Sequence, residues 1–506
     1  MRRTARFLLG VALTLAPRGE AAEISDVFEI QTLRVEGRAT EVAPAPRSRA
    51  GPVELVVAVE RGVPPESSRS LAFFRAGAGR RYGERPAGAI PVAREIAAWD
   101  LAPGPAEGAF RLVLLAADAL RVVDPAGGAP DRSIALGAPA PLPPPTWTLH
   151  RVRFVLPLGA GGSPVAIVPR VDGGELVGLD DERREPLALP LLAEHESQEV
   201  AGPDFGLVTS RVGWPSLELA DDDGDGANDL FALFRFGAWV FPTREGALAR
   251  QPGRRSPLRP FPPEEELRHE VTSVRLFARD LDADGLADLV VQRNTGTLLG
   301  SRSRTDVFSN RGAGADLAGP PAVSLELADG LAALAVEDLD GDGRREILQT
   351  RLAFGIVQLI RVLVTREVEI ELRCFATRGS GLAELVETWR GELRLPLDFD
   401  AGRVAGLVPT VEGDWNGDGR RDLLHGSGDR HLAIRLGEAG ELGPRFGERA
   451  ARQAIPAGDL ARVADLDGDR LDDLVIFDPH DPRGEVHVLW NRGLLPGTAP
   501  QIRSQE

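Results

Sequence analysis

The sequence predicts an all-β fold assembled from repeated units, and three observations carry that prediction. An acidic loop recurs five times in the C-terminal 300 residues, opening at Asp221, Asp280, Asp338, Asp414 and Asp465. Short apolar runs follow the loops, such as Leu230-Phe-Ala-Leu-Phe, Leu289-Val-Val and Leu474-Val-Ile-Phe, and turn residues bound them. Such runs read as buried strands. The 506 residues include 57 Gly and 40 Pro, which suits many short strands joined by many turns better than long helices.

Within each nine-residue loop, oxygen ligands stand at positions 1, 3, 5 and 9. They are Asp221, Asp223, Asp225 and Asp229 in the first loop, and Asp280, Asp282, Asp284 and Asp288 in the second. The third has Asp338, Asp340, Asp342 and Glu346, the fourth Asp414, Asn416, Asp418 and Asp422, and the fifth Asp465, Asp467, Asp469 and Asp473. Hard oxygens at this density suit Ca²⁺, which takes six to eight of them in flexible geometry. Glycine at position 6 (Gly226, Gly285, Gly343, Gly419) lets the chain turn with φ > 0 around an ion. A single copy would read equally well as an acidic surface turn or a metal loop, but five copies at a domain-scale period point to metal. An EF-hand is excluded because it needs a bidentate Glu at position 12, where Ala232, Val291, Gln349, His425 and Ile476 stand. Two units end in a strand closed by Asn-x-Gly, at Asn310 and Asn491.

These loops and strands resemble FG-GAP/VCBS repeats, the units of the integrin-α-type β-propeller found in many exported bacterial proteins. The resemblance covers about 205–495. It implies blades of about 60 residues with four antiparallel strands, and calcium between the first two strands. The sequence departs from the pattern at Ala283 (position 4 of the second loop), Glu346 (position 9 of the third) and Arg470 (position 6 of the fifth). Arg470 puts a bulky cation where φ > 0 is wanted, so the fifth loop is expected to bind calcium less well than the others.

The N-terminal 200 residues have no acidic loop, yet the period continues. Glu54, Arg111 and Val165 precede or open apolar runs, and aligning them with the position-9 residues gives spacings of 57, 54 and 64 up to Asp229. The chain therefore divides into an export segment at 1–22, blades without ligands at 23–200, and calcium-type blades at 201–506. Together these make a β-propeller of about eight blades, seven being the alternative. The loop starts are 59, 58, 76 and 51 residues apart. The excess in the long interval lies in Ile356 to Glu392, where Ile356–Val364 and Glu369–Phe375 read as long paired strands.

Net charge is −17, which argues against nucleic acid, since phosphate binding needs a positive footprint. One cysteine, Cys374, excludes an internal disulfide and any cysteine-built metal site. Arg2, Arg3 and Arg6, the apolar stretch Phe7–Ala16 and the small residues near Ala21-Ala22 read as a cleaved signal peptide, so a secreted or periplasmic location is expected. No later apolar run is long enough for a transmembrane helix. No HExxH, GxSxG or phosphate-binding glycine motif occurs, and the seven histidines are scattered. The expectation is a calcium-stabilised recognition, adhesion or scaffold module with no catalytic residues, binding a protein or carbohydrate ligand. The alternative is a propeller-based carbohydrate-active enzyme with its site at the central channel.

Overall fold

The computed structural model describes residues 26–498 apart from 47–51, 64–65, 78–80, 105–108, 129, 143–147, 160–161, 190–191, 200–205, 259–270, 297–299, 354–355, 380, 383–384, 399–402, 405 and 429. The export segment and the division at 200/201 lie outside these residues.

Eight antiparallel sheets follow one another around a propeller ring. Their second strands open at Leu55, Phe110, Val165, Asp229, Asp288, Glu346, Leu423 and Asp473, so the ring has eight blades and not seven. The second strand of a blade is covered on both faces by neighbouring blades, and it therefore reads as an unbroken apolar run. Phe110–Ala116, Val165–Arg170, Asp229–Phe234 and Asp473–Phe477 are buried at every position. The phase marked by Glu54, Arg111 and Val165 falls within one residue of the first three strand starts. Blades one to three accordingly lie between Arg38 and Leu187 and carry no acidic loop.

The N-terminal strand closes the ring. Phe28–Arg34 runs antiparallel to Glu485–Asn491, in register from Phe28↔Asn491 to Arg34↔Glu485, and becomes the outer strand of blade eight. The Gln453 amide completes the joint by pairing with both backbone groups of Phe28 (2.7 and 2.8 Å). Packing across the closure is continuous: Trp490 of blade eight lies 5.2 Å from Tyr82 of blade one, and residues of blades eight, one and two share one apolar cluster. Cys374 is a buried apolar filler in blade six, and burial pushes its thiol up to about 12. Blade seven departs from the four-strand pattern. Among the described residues it has three strands, with the isolated bridge Thr410↔Leu424 in place of the first.

Strand direction assigns the loops to faces. In an antiparallel blade the first-to-second connections leave from one face of the ring. The second-to-third turns and the links between blades leave from the other. All five acidic loops are first-to-second connections and so share a face. The opposite face carries two insertions, a hairpin of Leu192–Glu199 with Gly206–Gly213 between blades three and four, and a helix in blade six.

That helix corrects the reading of Ile356–Val364 as a strand. Helix α1 spans Ile356–Thr365 and links the second and third strands of blade six; Glu367–Thr377, by contrast, is the strand expected there. Its β-branched residues favour a strand locally, but apolar side chains also recur at 356, 359, 360, 363 and 364, the helical period. The helix ends where Arg366 turns to φ 58° and its N–H reaches the Val362 carbonyl (2.8 Å). The Arg366 carbonyl then accepts from Leu397 of the outer strand (2.8 Å), anchoring the end.

Candidate metal centre

All five loops fold by the same internal hydrogen bonds, which follow from where the carboxylates stand. The position-1 Asp uses one oxygen to accept the N–H of position 6: Gly226 to Asp221 (2.8 Å), Gly285 to Asp280 (3.0 Å), Gly343 to Asp338 (3.1 Å) and Gly419 to Asp414 (2.8 Å). The position-5 Asp turns to the N–H of position 7, as Asp284 does with Leu286 (2.9 Å). The position-9 carboxylate is buried and accepts the N–H of position 2: Asp222 to Asp229, Leu281 to Asp288, Leu339 to Glu346, Trp415 to Asp422 and Leu466 to Asp473, at 2.8–3.1 Å. Glu346 therefore does in the third loop what aspartate does in the others.

The structure brings the acids together in four of the five loops. Ligand oxygens of Asp280, Asp282 and Asp288 lie within 4.8 Å of one another, as do those of Asp338, Asp340 and Glu346, and of Asp465, Asp467 and Asp473. In the first loop the converging set is Asp221, Asp223 and Asp225, while Asp229 faces the N–H groups of Asp222 and Thr243. The fourth loop has Asn416 within its set, and the Asn416 amide is donated to Asp418 (3.1 Å). Asp284, Asp342 and Asp469 stand outside the converging sets at their position-7 N–H groups.

Bringing carboxylates together in a partly dehydrated loop raises their pKa values. Burial, with neighbouring acids adding to it, lifts Asp288 and Asp422 to about 7 and Glu346 and Asp473 to about 8. Asp282, Asp340 and Asp414 are also raised, mainly by burial and then by adjacent carboxylates. In the second loop Asp280 Oδ1 and Asp282 Oδ1 are buried with no hydrogen-bond partner. Buried carboxylate oxygens without a donor are costly unless a cation completes them. This donor set fits a hard divalent cation such as Ca²⁺.

The two backbone departures behave differently from what their residue types suggest. Arg470 adopts φ 75°, and its N–H reaches Asp465 (3.1 Å) just as glycine does in the other loops. The fifth loop thus keeps the common path, at the strain cost of a non-glycine residue in the left-handed region. Ala283 also takes a positive φ, 58°.

Charge is concentrated on the loop face. The five nine-residue loops hold 21 Asp and Glu and five Arg, so they carry −16 of the net −17, and the rest of the chain is close to neutral. Among the described residues, eight of the twelve exposed large apolar side chains lie on the other face: Val63, Val171, Phe236, Ile360, Leu363, Val364, Val408 and Leu460. Helix α1 shows Ile360, Leu363 and Val364 to solvent, with Leu363 62% and Val364 79% exposed, and turns Val362 inward.

A ring of eight blades with acidic loops between first and second strands defines a repeat-built β-propeller. Residues 280–348, from the second acidic loop through the third, match the FG-GAP-like repeat family, and this match together with the eight-blade arrangement supports an FG-GAP-repeat propeller. Solved structures to which it is similar include the WD40 domain of SCAP from fission yeast, at 9% identity over 93% of this chain and 99% of that one, with a TM-score of 0.38. Another is the S. cerevisiae core factor, at 9% identity over 83% of this chain and 60% of that one, with a TM-score of 0.32. No curated protein matches the sequence.

Proposed function

We propose that the protein is an exported, calcium-stabilised recognition or scaffold module that performs no catalysis. The observation that carries this reading is the division of labour between the two faces. One face concentrates the carboxylates in metal-fitting loops. The other bears apolar turn tips and the exposed Ile360, Leu363 and Val364 of helix α1. Exposed apolar patches on soluble domains mark interaction sites, and a carboxylate-rich face is suited to an ion that holds the ring together. The strongly raised carboxylates belong to the loops, where backbone N–H groups hold them, which supports a structural role over acid–base chemistry. His425 is buried against the Gly426 carbonyl and pushed down to about 4 by burial, a packed residue and not an exposed base. No helix among the described residues is long and apolar enough to cross a membrane.

The test is affinity capture from extracellular and envelope extracts, including polysaccharide, with calcium present. The full chain is compared with one in which Ile360, Leu363 and Val364 are serine. A protein or glycan retained by the first and lost by the second supports recognition through the helix face. Turnover of any polysaccharide in a substrate panel, abolished by one carboxylate change outside the five loops, supports the carbohydrate-active alternative instead.

A further inference from the structure

Every acidic loop is tied to the blade that follows it, always at the same carbonyl. The position-2 carbonyl of each loop accepts a hydrogen bond from the next blade. Asn310 Nδ2 reaches the Asp222 carbonyl (2.8 Å), Thr377 Oγ1 the Leu281 carbonyl (2.9 Å) and the Arg421 N–H the Leu339 carbonyl (2.9 Å). Asn491 Nδ2 reaches the Trp415 carbonyl (2.8 Å), and the Val53 N–H the Leu466 carbonyl (2.7 Å), carrying the pattern into blade one. The N–H of that same position-2 residue is the one held by the position-9 carboxylate of its own loop. A carboxylate drawn toward an ion therefore moves a peptide segment that the neighbouring blade also grips.

The two asparagines go a step further. Asn310 gives its backbone N–H to Asp288, the position-9 acid of its own blade (2.9 Å), while its side chain holds the loop before it. Asn491 does the same with Asp473 (2.8 Å). Each is fully or almost fully buried, and each turns its Oδ1 onto the N–H of the glycine two residues on, fixing the amide orientation. A single residue, through its backbone N–H and its side-chain amide, thus touches two neighbouring loops. This is the part played by the Asn-x-Gly motif.

We propose that Asn310 and Asn491 are positioning residues that couple metal loops in adjacent blades, so that calcium at one loop raises the affinity of the next. The proposal rests on the calcium reading above. Asn310 links the first and second loops, and Asn491 the fourth and fifth; Thr377 ties the second loop to blade six with a single bond. Coupling of this kind is a free energy shared between two sites and is reciprocal. The main bond from each side chain to the preceding loop goes to its position-2 carbonyl, so its loss should weaken calcium binding by roughly two- to tenfold. None of the three side chains is a proposed ligand.

The experiment is a calcium titration of the full chain by calorimetry and by competition with a chromogenic chelator, beside melting in excess chelator. The variants are Asn310→Ala, Asn491→Ala and Thr377→Val. The valine is close in shape to threonine and keeps the measurement possible if an asparagine variant fails to fold. Cooperative uptake by the unaltered chain, with a lower Hill coefficient and weaker affinity in a variant whose chelated melting is little changed, supports the coupling. A latch that is only structural would lower the chelated melting temperature and leave the calcium isotherm unmoved, and that result overturns the proposal. Calcium bound at independent sites in the unaltered chain overturns it as well while sparing the calcium reading. No calcium uptake at all overturns both.

Discussion

The raised position-9 carboxylates make the calcium reading testable through pH. Asp288 and Asp422 sit at about 7 and Glu346 and Asp473 at about 8 without metal, against ordinary values near 4 in an unfolded chain. Because the folded values are raised, the fold holds more protons than the unfolded chain between pH 4 and 8. Stability must therefore be greatest at the acid end of that window and fall as pH rises through the folded values. A three-unit shift corresponds to about 4 kcal/mol for one group, a large share of a domain's net stability of about 5–15 kcal/mol. Calcium reverses the logic, since it needs these carboxylates ionised and competes with protons for them. Melting should be followed calorimetrically at pH 5, 6, 7 and 8, once in excess chelator and once in millimolar calcium. The expected result is a melting temperature that falls by several degrees across the window in chelator and stays level or rises in calcium. Parallel pH profiles with and without calcium would refute the reasoning.

The other expectations can be checked on the same material. Millimolar calcium should add roughly 0.4–1.4 kcal/mol per occupied loop if affinities are of the extracellular type, so chelation should lower the melting temperature. Asp467→Ala should weaken calcium binding more than Asp284→Ala. Asp467 lies in a converging set and Asp284 does not, which reverses the order that Arg470 suggests from sequence. His425, depressed by burial to about 4, should cost up to about 3 kcal/mol as pH falls from 6.5 through 4, because the fold keeps the ring neutral; His425→Gln should lose that acid limb in a pH melt. A chain beginning at Arg38 lacks the closing strand of blade eight, so it should aggregate or melt without cooperativity; a sharp, chelator-sensitive transition there would show that closure is dispensable. Leu363→Ser, on an exposed helix face, should change stability by no more than about 0.5 kcal/mol in a denaturant melt.

Much of this protein is legible in its residues one after another. Periodic loops with acids at fixed offsets report a metal-fitting turn, and unbroken apolar runs report strands covered on both sides. Their phase extends to Glu54, Arg111 and Val165, where the ligands are missing but the strands remain. These features are local, set by neighbours within a few positions, so spacing alone conveys them. What the sequence could not decide depends on contacts made far along the chain. Ile356–Val364 suits a strand by propensity, and only its place between two long strands of blade six, anchored through Arg366 and Leu397, makes it a helix. Arg470 looks incompatible with a left-handed turn, yet the Asp465 carboxylate and the strands on either side hold it there. Asn310 and Asn491 read as turn residues until the ring sets them against the carbonyls of the preceding blade, 88 and 76 residues earlier in sequence. Ring closure by Phe28–Arg34 is of the same kind: a strand near the start of the chain finds its partner at the end, because a propeller leaves an unpaired edge unless its termini meet.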